Sequence, residues 1–202
     1  MATRNTVEDQ LSSGMSSGSP GTSGVMSAAS PRFEALDVKV FRRDAASTYG
    51  WWGNLAVVIG RQPPDAMHVV NYRACVIELH KQHPQGVGLI TVVNDTSTPS
   101  AAGRDAMIKM FKEIWPLMRA ALFVPNADGF KAAVLRSVMG GLILATGQRD
   151  RVRVERSLSV GLPWFLNKVL GEDEAHRQIK HLQWGIEKFC EAESEREDPS
   201  LR

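Results

Sequence analysis

Three observations predict an α/β fold with a mixed, mostly parallel sheet and flanking helices over residues 33–170. Two strand-like runs open the region, three amphipathic helices then alternate with short and almost wholly apolar runs, and a further helix closes it. A helix between successive apolar runs is long enough to carry the chain back to the same sheet edge, which is how parallel strands are joined. An extra amphipathic helix is expected beyond it, at 172–193.

The elements follow from their periodicities. Leu36, Val38 and Val40 alternate with Asp37 and Lys39, a strand with one wet face. A turn-rich connection containing Gly50-Trp51-Trp52-Gly53-Asn54 leads to the second run, Leu55-Ala56-Val57-Val58-Ile59. Pro63-Pro64-Asp65 opens a helix, since proline in the first turn forfeits no hydrogen bond. Met67, Val70, Ala74 and Ile77 share one of its faces at helical spacing and form its expected inner stripe. Val87-Gly88-Leu89-Ile90-Thr91-Val92-Val93 is apolar on both faces, as a strand covered on two sides must be. A polar loop then reaches Ser100, a good N-cap for a helix whose stripe is Met107, Phe111, Ile114 and Met118. Ala120-Ala121-Leu122-Phe123-Val124 is a second buried strand. Asp128 caps the next helix, with Phe130, Val134 and Val138 inward, Gly140 and Gly141 allowing close approach to the sheet, and Gly147 as its stop. Val152 and Val154 alternate with Arg151, Arg153 and Glu155, the pattern of an edge strand. A short helix at 163–170 ends at Gly171.

In the helix at 172–193 the stripe Ala175, Ile179, Leu182, Ile186 and Phe189 is spaced four, three, four and three, as in a coiled-coil seam. It either packs on its own domain or, through Ile179, Leu182, Ile186 and Phe189, joins a second copy or a partner helix.

Composition bounds the rest. The 202 residues suffice for one domain with one good core, here 32–171. Residues 1–31 are dominated by Ser, Gly, Thr, Ala and Met and are expected to form a flexible tail. The charged residues 194–202 are expected to fray as a second tail. A net charge of +2 supplies no strong field toward nucleic acid. No apolar run approaches the length of a bilayer span, and the first residues lack the apolar core of a signal peptide. Cys75 and Cys190 form no disulfide framework or metal spacing. A cytoplasmic protein without cofactor is expected.

Candidate chemistry is sparse. His80 and His83 stand three apart at a helix end, but no carboxylate or cysteine stands at matching spacing, so no metal site is expected there. Cys75 sits beside an apolar helix stripe, as a packed thiol rather than a nucleophile. Arg149, Arg151, Arg153 and Arg156 form the densest basic patch, diluted by Asp150 and Glu155 as on a solvated edge. Trp51 and Trp52 in one connection either fold onto the core or face a ligand or partner.

The order of these elements, with a hydroxyl-rich loop between the run 87–93 and the following helix, resembles the STAS domains, the fold of anti-sigma-factor antagonists, and the wider SpoIIAA-like group. The resemblance spans residues 33–170. In the regulatory members this loop carries an Asp-Ser-Ser-Gly motif whose serine is phosphorylated, and phosphorylation releases a bound protein partner. The nearest match here, Pro99-Ser100-Ala101-Ala102-Gly103, keeps Gly103 in register but has alanines where the motif has both serines. The phosphoacceptor is therefore not carried over, and Ser97, Thr98 and Ser100 are the neighbouring candidates. A phosphate at a helix N-terminus would meet free backbone N–H groups, so the physics permits such a switch.

Two function classes remain. The first is a non-catalytic regulatory or scaffolding module that binds a protein partner through Asp95, Thr96, Ser97, Thr98, Ser100 and Gly103 and the helix after them. The second is a domain for an apolar or lipid-like small molecule, since folds related to the resembled family include lipid carriers. Its pocket is expected among Trp51, Trp52, Phe111 and Trp115.

Overall fold

The computed structural model describes residues 38–95, 97–126 and 129–197. The 1–31 tail, Leu36, Thr96, the Asp128 cap, the Phe130 side chain and residues 198–202 lie outside the described residues. The strands are β1 (Lys39–Arg43), β2 (Ser47–Trp52), β3 (Leu55–Gly60), β4 (Val87–Val93), β5 (Met118–Pro125) and β6 (Val152–Val154). The helices are α1 (Ala66–Gln82), α2 (Ala101–Ile114), α3 (Gly129–Thr146), α4 (Leu158–Leu170) and α5 (Glu172–Glu197).

The strands form one mixed sheet in chain order, β1 to β6. β1–β2 and β2–β3 pair antiparallel, and β3 through β6 run parallel. Because the order never reverses, right-handed crossovers must place α1, α2 and α3 on one face. Val69, Tyr72, Val76, Phe111, Ile114 and Met139 accordingly build one core, with Trp51 packed against it. On the other face Leu162, Phe165 and Val169 of α4 join Leu182, Ile186 and Phe189 of α5 in a second core. None of the described helices is long and apolar enough to cross a membrane.

Several local expectations hold. α1 opens directly after Pro63-Pro64-Asp65; the structure makes Asp65 its cap, the carboxylate accepting from the Met67 and His68 amides at 2.8 and 3.0 Å, and both prolines precede the cap instead of entering the first turn. Ser100 caps α2 by accepting from the Gly103 amide at 3.0 Å. Gly147 and Gly171 end their helices at φ +70° and +88°, where a Cβ would be strained. β6 lies at the sheet edge, and the Arg153 guanidinium sits 4.7 Å over the Trp164 ring.

Others are corrected. The connection containing Trp51 and Trp52 is largely a strand, β2, joined to β3 through Gly53 and Asn54, with Gly53 at φ +56°. A two-residue Gly-Asn link between apolar runs is a hairpin signal. α1 buries Val69, Tyr72, Cys75, Val76 and Leu79, leaving Met67 and Val70 exposed; the helix carries two apolar stripes, and the one with the aromatic faces the sheet. Gly140 and Gly141 do not let α3 approach the sheet closely, because a Cβ at either would meet nothing within 4 Å. α4 begins at Leu158, a turn before the expected start, and holds Pro163 within it.

The seam of α5 is occupied by its own domain. Leu182, Ile186 and Phe189 are buried in the second core and Ile179 packs against it, so these four are not available as a surface for a second copy.

α5 also runs on to Glu197, into the segment expected to fray. Glu193 explains why, since its carboxylate is 4% exposed and pinned to the sheet. It accepts from Arg43 Nη2 at 2.8 Å and from the Thr48 hydroxyl at 2.7 Å, with Arg61 Nη1 at 3.7 Å. Burial pushes the Glu193 carboxyl up, and the Arg43 and Thr48 hydrogen bonds outweigh it, leaving a net depression. A depressed folded value stabilises the protein above the unfolded value, about 4.3, and that stability is lost as pH falls through the folded value. Glu193→Gln is therefore expected to cost about 2 kcal/mol at neutral pH, a charged hydrogen bond discounted for the exposed Arg43. Chemical denaturation across pH should show the difference from wild type shrinking as the pH falls below about 4. A pH-independent difference would show that the carboxylate charge is not what ties α5 to the sheet.

Candidate functional site

The cross-strand register assembles a site on the α1–α3 face. Tyr49 pairs with Val58, Val58 with Thr91 and Thr91 with Phe123, so these four side chains form one row over β2, β3, β4 and β5. Two residues along, Ser47, Gly60 and Val93 form a second row. Strand alternation sends both rows to the same face. Gly60 contributes no side chain, and a Cβ there would meet only the Val92 carbonyl at 3.8 Å.

Above these rows lies a cavity of about 350 Å³ at the carboxyl ends of β3, β4 and β5. The β3–α1 connection closes one side with Gln62, Pro63 and Pro64, and α1 adds His68 and Tyr72. The far walls are Met107 and Ile108 of α2 and Val138, Met139 and Gly141 of α3. A doubly wound sheet would offer a crevice where its strand order reverses; this order has no reversal, so the space lies between one sheet face and the helices covering it.

The charged groups stand at the cavity's edge, where Asp95, Arg104 and Asp105 meet solvent. Arg104 Nη1 donates to the Pro99 carbonyl at 2.8 Å and pins the loop. The Asp95 carboxylate accepts from the Ser97 amide at 2.7 Å and the Ser97 hydroxyl at 2.6 Å. His68 has Nδ1 2.9 Å from Asp65 Oδ1 and Nε2 3.9 Å from Asp44 Oδ1. Deeper in, Tyr49 donates to the His68 carbonyl at 3.2 Å, and the Tyr72 and Thr91 hydroxyls bond to each other. Burial pushes the ionisation of both tyrosines well above the ordinary phenol range.

The loop residues expected to bind a partner thus divide. Ser97, Thr98 and Ser100 are exposed, Asp95 is half-buried, and Thr96 lies outside the described residues. Gly103 is buried, and a Cβ there would sit 2.6 Å from the Pro64 carbonyl oxygen, so it serves the packing of α2 on the β3–α1 connection. Ser100 is occupied as a helix cap. Asp95, Ser97 and Pro99 line the cavity itself, so the loop and the pocket are one place.

The aromatic pocket is not formed as expected. Trp51 and Trp52 are adjacent in a strand and face opposite sides of the sheet, so they cannot line one site. Trp51 stacks on Phe41 with centroids 4.7 Å apart, and its Nε1 donates to the Cys75 sulfur at 3.1 Å. Burial pushes the Cys75 thiol up to about 12, which keeps it protonated and unreactive. Phe111 and Trp115 are buried and stacked, and they border a separate void of about 10 Å³. At the end of α1 the cap is the His83 backbone amide, which donates to the Leu79 and His80 carbonyls. Among the described residues no group of three His, Cys, Asp or Glu is placed to share a metal ion.

Val58, Thr91, Tyr72 and Phe123 appear in the sequence only as core-like positions. The visible signal for the site was the break in apolar character at Gly60, Thr91 and Gly141 within elements otherwise built from larger apolar residues. No family model, no curated protein and no solved structure matches this chain.

Proposed function

We propose that this chain is a non-catalytic binding domain for an apolar small molecule held between the sheet and α1–α3. The observation that supports this reading is the cavity itself, about 350 Å³ with walls of Val58, Val93, Met107, Phe123 and Met139. That size and lining suit a small ligand, whose transfer out of water supplies the driving force. The charges at its edge select orientation, and the 95–103 loop forms part of the entrance.

N-phenyl-1-naphthylamine, a neutral dye that brightens in apolar surroundings, should bind the full chain saturably. Gly141 lines the cavity and has open space where a side chain would project. Leucine there is expected to project into this space and should weaken dye binding by at least about tenfold, roughly 1.4 kcal/mol. The melting temperature should not fall, because glycine inside a helix is worse than leucine by nearly 1 kcal/mol. Unchanged dye affinity in a folded Gly141→Leu variant would overturn the reading.

A regulatory protein-interaction module is the second reading, favoured by the exposure of Ser97, Thr98 and Ser100 in one short run beside the entrance. A partner seated on that run would cover the cavity mouth, and phosphate on Ser97 would face the Asp95 carboxylate that now accepts its hydroxyl.

A further inference from the structure

We propose that the cavity takes a neutral apolar molecule carrying one hydrogen-bond acceptor, a ketone, ester or ether oxygen, and that this oxygen receives the spare hydroxyl hydrogen of the Tyr72–Thr91 pair. This rests on the reading that the cavity holds an apolar small molecule.

Tyr72 on α1 and Thr91 on β4 are 9% and 5% exposed, and both line the cavity. Their hydroxyls bond to each other, and neither makes another hydrogen bond within the described residues. Each hydroxyl carries a hydrogen, and the bond between them consumes only one. Whichever oxygen accepts is left with its own hydrogen unused, on a cavity wall that Val58 and Phe123 also line. An unmet buried donor is the costlier kind of polar orphan, so the complement it selects is an acceptor. The other phenol in the cavity, Tyr49, already gives its hydrogen to the His68 carbonyl.

The same surroundings select against an ion. Asp95, Arg104 and Asp105 stand at the solvent edge, and the floor row of Tyr49, Val58, Thr91 and Phe123 is buried and uncharged. A carboxylate or ammonium seated at the hydroxyl pair would lose its hydration beside uncharged groups, and His68, the titratable side chain on the α1 wall, is already engaged by Asp65 and Asp44. A neutral carbonyl or ether oxygen loses little and gains a directed hydrogen bond, while the body of the ligand fills the apolar volume.

The test compares 2-acetylnaphthalene with 2-ethylnaphthalene, which differ by a carbonyl oxygen in place of two hydrogens. Affinities for the full chain are measured by displacement of N-phenyl-1-naphthylamine. Tyr72→Phe and Thr91→Val each leave one hydroxyl hydrogen, so each single variant should keep the wild-type ratio of ketone to hydrocarbon affinity to within about twofold. The double variant removes both hydroxyls while conserving shape, and its ratio should fall by at least about tenfold with hydrocarbon binding retained. A purely structural role for the pair would weaken both ligands alike. Independently of any variant, the carbonyl stretch of ¹³C-labelled ketone bound to wild type should lie below its position in hexane. A double-variant ratio within about twofold of wild type, or an unshifted carbonyl band, overturns the proposal and leaves the cavity reading standing. If neither naphthalene binds wild type, both fall.

Discussion

Leu182→Glu is expected to abolish cooperative folding. Leu182 is 1% exposed in the core that α5 shares with α4 and the sheet. Removing its side chain forfeits about 2–5 kcal/mol, and the new carboxylate would be buried without a partner, adding several more. The total is comparable with the whole stability of an ordinary domain, about 5–15 kcal/mol. Circular dichroism should show no sharp thermal transition, and size-exclusion chromatography should show aggregated material. A seam that joined two copies would behave differently, since the same charge would then meet water in a released monomer. A folded, soluble monomer melting like wild type would place the seam of α5 on the surface.

That contrast shows what the sequence could and could not decide about this helix. The spacing of Ala175, Ile179, Leu182, Ile186 and Phe189 identifies an apolar stripe, but a stripe does not name what covers it. The second core names it, because α4 and α5 together close the sheet face that the three crossover helices leave bare. The alternation of helices and apolar runs was legible, since each run must cross the core and each helix must return outside it. The cap at Ser100 and the stop at Gly171 were legible for the same reason, as local chemistry acting over a few residues.

The failures have a common physical origin. β2 was hidden because Gly50 and the two tryptophans look like a loop, although their alternation places Trp51 and Trp52 on opposite faces. The inner face of α1 was misassigned because Met67-Val70-Ala74-Ile77 and Val69-Tyr72-Val76 are both apolar at helical spacing. The cavity depends on which residues of β2, β3, β4 and β5 stand side by side, and register is a property of pairing that no single strand reports. Glu193 was unreadable for the same reason, since its partners Arg43 and Thr48 lie about 150 residues away in the chain.

The other large effect is expected at Gly88 in β4. By β-propensity alone valine should improve a central strand, on a scale of about 1 kcal/mol. Packing decides otherwise. Gly88 pairs with Leu55 on one side and Ala120 on the other, a row that leaves a shallow place in the sheet. α4 fills it, so a Cβ at Gly88 would stand 2.6 Å from Phe165 Cζ, 2.8 Å from Leu55 Cδ2 and 2.9 Å from Val169 Cγ2. Phe165 is fully buried, and a close-packed interior gives its ring little room to retreat. Gly88→Val should therefore destabilise by about 3 kcal/mol, at the upper end of overpacking costs. For a chain of this size that lowers the melting temperature by roughly 10 °C. The cause can be isolated with Phe165→Leu, which withdraws the ring end that the new side chain meets. Alone it should also destabilise, by leaving a small void. Combined with Gly88→Val the two costs should add to less than their sum, with a coupling of about 1 kcal/mol, because each relieves the other. Strict additivity would mean that α4 does not seat its aromatic ring over Gly88. A neutral Gly88→Val would mean that the helix stands farther from the sheet, and with it that the second core is looser than the buried Phe165 and Leu162 require.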